Sequence, residues 1–109
     1  MNIEKLRELG ANVDEGLERC MGMEDFYLEV IELGLSGDRF EALGKALEEG
    51  NLDDAFEHAH ALKGVVGNLA LTPLYETVSE MTENLRAKVQ ADYEVIYKKI
   101  LSQREAFLQ

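Results

Sequence analysis

Apolar residues along the 109-residue chain recur at intervals of three and four, the spacing that lines one side of an α-helix. Leu74, Val78, Met81 and Leu85 step by four, three and four, and Tyr93, Ile96, Tyr97 and Ile100 keep much the same rhythm near the C-terminus. The alternation of Val, Ile, Thr and aromatic residues that marks strands is absent. Polar punctuation divides the pattern into separate helices. Asn12, with Glu15 three residues on, reads as a capping box that opens a short helix to about Met21. Glu24 and Asp25 fall in the first turn of the next, where carboxylates meet the positive end of the helix dipole. That helix should break near Ser36-Gly37. Phe40, Leu43 and Leu47 mark another, closed by Gly50, after which Asn51 caps a long segment. Thr72-Pro73 opens a helix with proline at its first position, and the polar stretch Lys88 to Ala91 is a turn. The pattern predicts an all-α fold, an antiparallel up-and-down four-helix bundle over residues 24–109 with short additional helices in residues 1–23. No repeat, low-complexity tract or linker divides it, so residues 1–109 are expected to form one domain.

Composition narrows the chemistry. With 22 acidic and 11 basic side chains the net charge is -11, which argues against nucleic acid or an anionic membrane as partner, since both need clustered Lys and Arg. The acid is uneven: residues 1–55 hold 15 acidic and 5 basic residues, residues 56–109 hold 7 and 6. A partner is therefore expected on the near-neutral second half. A single cysteine, Cys20, leaves no intramolecular disulfide and no Cys-cluster zinc site, and is expected to be a small buried apolar residue. No basic start followed by an apolar run suggests a signal peptide, and no apolar stretch suggests a membrane span, so a cytoplasmic location is expected. Met21, Met23 and Met81 are expected to fill packing gaps, and Tyr75, Tyr93 and Tyr97 to lie at the core edge.

Residues 52–69 carry the unusual chemistry. Leu52, Ala55, Phe56, Ala59, Leu62, Val66 and Leu69 form a stripe to be buried. At about 100° per residue, His60 projects roughly 120° from that stripe. Lys63, Gly64 and Gly67 follow His60 by three, four and seven residues and share its side, whereas His58 points elsewhere. Glycine inside a helix costs about 1 kcal/mol relative to alanine, so Gly64 and Gly67 require a reason. One is a bare surface on which another backbone or a phosphate can come close; another is a helix end or a tight neighbour. For His60 a metal site is disfavoured, because His58 and His60 are two apart and cannot share a helix face. No His-Glu-x-x-His or Gly-x-Ser-x-Gly motif supplies a hydrolytic site. A bystander histidine and a phosphoryl acceptor remain, the latter aided by the neutral form that the imidazole side chain offers near neutral pH and by Lys63 one turn away.

The run His60-Ala61-Leu62-Lys63-Gly64-Val65-Val66-Gly67-Asn68 resembles the signature of histidine-containing phosphotransfer (HPt) domains, His-x-x-Lys-Gly-x-x-Gly. The resemblance extends upstream through Leu47 to Phe56 and downstream to Tyr75; residues 24–109 look like such a domain, and residues 1–23 like an N-terminal addition. It implies an HPt-like helical bundle acting as a monomeric phosphocarrier of a two-component phosphorelay. His60 would be phosphorylated, Lys63 would assist the phosphate, and Gly64, Gly67 and Asn68 would form the surface for response-regulator receiver domains or a sensor histidine kinase. No ATP-binding motif such as Gly-x-x-x-x-Gly-Lys-[Ser/Thr] is present, so the chain is expected to relay phosphate as a non-enzymatic intermediate with no cofactor of its own. Mg²⁺ is expected only in the partner receiver. A non-phosphorylated adaptor that binds receivers by shape is the alternative. One departure stands out: many members have glycine where this chain has Ala70.

Overall fold

The computed structural model describes all 109 residues, and its regular structure is entirely helical. Seven helices follow one another: α1 (Ile3–Glu8), α2 (Val13–Arg19), α3 (Glu24–Leu35), α4 (Arg39–Glu48), α5 (Leu52–Asn68), α6 (Thr72–Arg86) and α7 (Tyr93–Leu108). Helices α4 to α7 close a four-membered ring, each packing on the next and α7 returning to α4. Connections of only a few residues reverse the chain at each step, which makes sequential neighbours antiparallel. Helix α3 packs on α7 and, through Gly34, on Val65 of α5 and on Leu69 just past its end. Helices α1 and α2 sit at one end, and one apolar cluster runs from Leu6 through Val13, Tyr27, Leu62 and Val78 to Phe107.

Local signals placed most boundaries. Asn51 accepts from the backbone N–H of Asp54 at 3.1 Å and so opens α5. Asn12 accepts from the N–H of Glu15 at 3.3 Å, while Glu15 reaches back to the Asn12 side-chain amide at 3.0 Å. The reciprocal bond of the capping box is therefore made to the side chain, because the Asn12 backbone N–H donates elsewhere, to Ala70. Helix α2 ends at Arg19 rather than near Met21: Met21 and Gly22 both adopt positive φ, which unwinds the chain. Pro73 is the second residue of α6, after Thr72, and still lies in the first turn, where a missing N–H costs nothing.

Several packing expectations need correction. Leu52 is 41% exposed, since the first turn of α5 projects past its neighbours, and Phe56 is only partly buried; Ala55, Ala59, Leu62, Val66 and Leu69 carry the stripe. Met81 is buried, but Met21 and Met23 are 84% and 49% exposed at the α2–α3 turn and fill no gap. Cys20 is buried, as its apolar reading implied. Tyr97 does lie at the core edge, where its hydroxyl donates to the Phe40 carbonyl at 2.9 Å. Its ring occupies the space a Cβ on Gly44 would need, which explains a glycine inside α4.

Candidate phosphoryl-acceptor site on helix α5

His60 lies in the middle of a 17-residue helix whose buried side is fixed by Ala59, Leu62 and Val66, and it is exposed. Its ring stacks on that of Phe56, one turn earlier, with centroids 5.7 Å apart and planes 19° from parallel. His60, Lys63, Gly64, Gly67 and Asn68 all line one open groove of about 550 Å³, together with Thr72 and Tyr75 of α6 and Glu15 and Arg19 of α2. His58 is on the other side, half-buried, with Arg39 3.2 Å and Asp54 3.7 Å from its ring nitrogens. The two histidines thus have separate surroundings, as their spacing required.

The two glycines separate as well. No atom lies within 4 Å of where a Cβ on Gly64 would be, so this side of α5 is open backbone beside His60. Gly67 is not bare: a Cβ there would meet the Tyr75 ring at 3.1 Å. Its lack of a side chain is used internally, to seat an aromatic from α6 at the groove wall. Lys63 is 28% exposed and its ammonium lies 3.6 Å from the carboxylate of Glu83 on α6. Glu83 also pairs with Arg86 at 3.3 Å, and the Arg86 guanidinium lies 5.0 Å from the centroid of the Phe56 ring.

The C-terminal end of α5 is held by residues far away in sequence. Helices leave their last carbonyls without intrahelical partners. Here Arg19 donates to the carbonyls of Gly67 at 2.7 Å and Asn68 at 2.9 Å. Buried Tyr27 donates to Leu69 at 2.7 Å, and the Asn12 N–H donates to Ala70 at 2.9 Å. Four consecutive carbonyls are therefore occupied by the N-terminal segment. Arg19 adds a positive charge at the negative end of the helix and is itself paired with Glu15. Burial pushes the Tyr27 phenol up to about 12, with Cys20 and Glu15 adding to the rise and Arg19 opposing it.

Ala70 closes the helix in the left-handed region, φ 59°, with its N–H on Gly67 at 3.1 Å and that of Leu71 on Val66 at 3.2 Å. This is a Schellman ending, whose special position favours glycine. The alanine adopts that geometry at a cost of roughly 1 kcal/mol, and both hydrogen bonds of the ending are made.

Nothing in the sequence marks Arg19, Glu15, Phe56 and Glu83 as neighbours of His60's groove. The first two lie in the acidic half, more than forty residues from His60, and nothing local ties them to it. Tyr75, expected at the core edge, is exposed at the groove wall.

The chain is thus a small all-helical domain with an exposed histidine beside a glycine-opened helix face. The Hpt domain family model matches residues 33–107, and the chain belongs to that family of histidine phosphotransfer modules, phosphocarriers of phosphorelay signalling. No curated protein and no solved structure matches it. No helix is long and apolar enough to cross a membrane.

Proposed function

We propose that His60 accepts a phosphoryl group from an aspartyl phosphate of one receiver domain, or from a histidine kinase, and donates it to another receiver. The observation that carries this reading is the exposure of His60 beside the open backbone of Gly64, in a groove shared with Lys63. In the accepting step the lone pair of the unprotonated ring nitrogen attacks phosphorus. The new N–P bond forms as the P–O bond to the aspartyl carboxyl breaks, and the electron pair leaves with the carboxylate. The imidazole keeps its single proton and takes a positive charge, so no separate base is needed. Donation is the reverse. Such transfers depend mainly on positioning and charge neutralisation, which Lys63 supplies from this side, with any Mg²⁺ held in the receiver's own acidic pocket. The face formed by Gly64, Asn68 and the Tyr75-covered Gly67 is the docking surface. A cytoplasmic, monomeric carrier spanning all 109 residues fits this role.

Mixing the protein with a receiver charged by acetyl phosphate tests the reading. Wild type should gain an acid-labile, base-stable phosphate. His60→Gln should gain none, and His58→Gln, whose ring is held between Arg39 and Asp54, should load within about twofold of wild type. Equal labelling of the His60→Gln variant would refute the assignment.

A further inference from the structure

Lys63 is the one cation on α5 beside His60, yet its ammonium is directed to a carboxylate on another helix. Lys63 lines the groove and Glu83 does not, so the pairing draws the charged end of the lysine toward the α6 side of the site. Glu83 is the shared partner of Lys63 and Arg86, which places one anion between two cations. Resting on the carrier role of His60, we propose that Glu83 is a positioning residue that competes with the bound phosphoryl group for Lys63. It thereby keeps the phosphoryl group on His60 easy to pass on.

The physical argument is one of exchange. A phosphoryl group on the imidazole carries up to two negative charges within reach of a lysine one turn away. To engage it, Lys63 must leave Glu83. Arg86 remains on Glu83, so the carboxylate is not stranded when the lysine goes. Arg86 is also kept in place by the Phe56 ring beneath it, the same ring that stacks on His60. The loaded state therefore gains the Lys63–phosphoryl attraction minus the Lys63–Glu83 attraction. A carrier must hold its group weakly enough to release it. Without Glu83, Lys63 would hold the phosphoryl group with its full attraction and the carrier would pass it on less readily.

The test measures partition between two copies of the carrier. Wild type and Glu83→Gln are mixed in equal amounts with limiting phosphoryl and a catalytic quantity of a receiver domain as shuttle. At equilibrium the ratio of loaded forms depends on the two carriers and not on the receiver used. Exposed ion pairs have modest strength, so about threefold more phosphoryl is expected on Glu83→Gln. The same comparison in a Lys63→Gln background should fall close to an even split, because the effect acts through the lysine, and Glu83→Asp should restore most of wild-type behaviour. Loading of both carriers with an even split, or a bias that persists unchanged without Lys63, overturns this proposal alone. Failure of wild type to load at all overturns the carrier reading and this proposal together.

Discussion

At the scale of single residues, the site is defined as much by missing atoms as by present ones. Gly64 faces open space, so a methyl group there meets nothing, while helix propensity favours alanine by about 1 kcal/mol. Gly64→Ala should therefore raise the midpoint of thermal unfolding by a few degrees. Gly64→Glu should fold with nearly wild-type helicity yet reduce receiver-dependent loading of His60 at least tenfold, since it sets a carboxylate and its bulk on the proposed docking face. Circular dichroism and phosphate labelling on the same samples separate the two effects; a parallel loss of helicity and transfer would make the glycine structural. His60 and its companions at three, four and seven were legible because helical periodicity alone orders them around α5. That Gly64 and Gly67 differ was not legible, because the difference lies in Tyr75, which arrives from α6.

At the scale of the element, α5 begins in a way the sequence declares and ends in a way it conceals. Its N-cap is Asn51, three residues from the N–H it binds. Its C-terminal carbonyls are held by Asn12, Arg19 and Tyr27, each more than forty residues away. Propensity and capping rules act over a few residues, so they found the first and had no means of finding the second. The same distinction explains Met21 and Met23, apolar in type but set by a left-handed turn on the outside of the molecule. Arg19→Ala removes two charge-assisted bonds from an exposed side chain and should cost about 1 kcal/mol. Its sharper consequence is local: amide exchange at Ala70 and Leu71 should accelerate more than tenfold while the core amides of α6 slow or quicken only with global stability. Uniform acceleration throughout the chain would contradict a local clamp.

At the scale of the whole molecule, the all-α bundle followed from periodicity, whereas the choice of α4 to α7 as its closed ring, with α3 packed outside, and the reach of the acidic half into the site did not. Charge counted along the chain put the groove in neutral territory, but folding brings Glu15 and Arg19 to its rim. Global stability should also carry the mark of Tyr27. Its phenol is 1% exposed and titrates at about 12 when folded, against 10.0 when free. Between those values the unfolded chain gives up the proton and the folded chain keeps it, so stability is complete below pH 10 and is lost as pH rises toward 12. Burial raises Tyr93 and Tyr97 in the same direction, which adds to the alkaline loss. Urea unfolding from pH 8 to pH 11.5 should show a steep decline in wild type. Tyr27→Phe should start about 1 kcal/mol lower, for want of its bond to Leu69, and decline less steeply. The clamp on α5 also bears on transplantation. The family match begins at residue 33, after Asn12, Arg19 and Tyr27 have all passed. A chimera that borrowed only the matched residues would inherit the histidine, the lysine and both glycines, but would leave behind the donors that finish the helix bearing them. What is portable in sequence is thus smaller than what is portable in space.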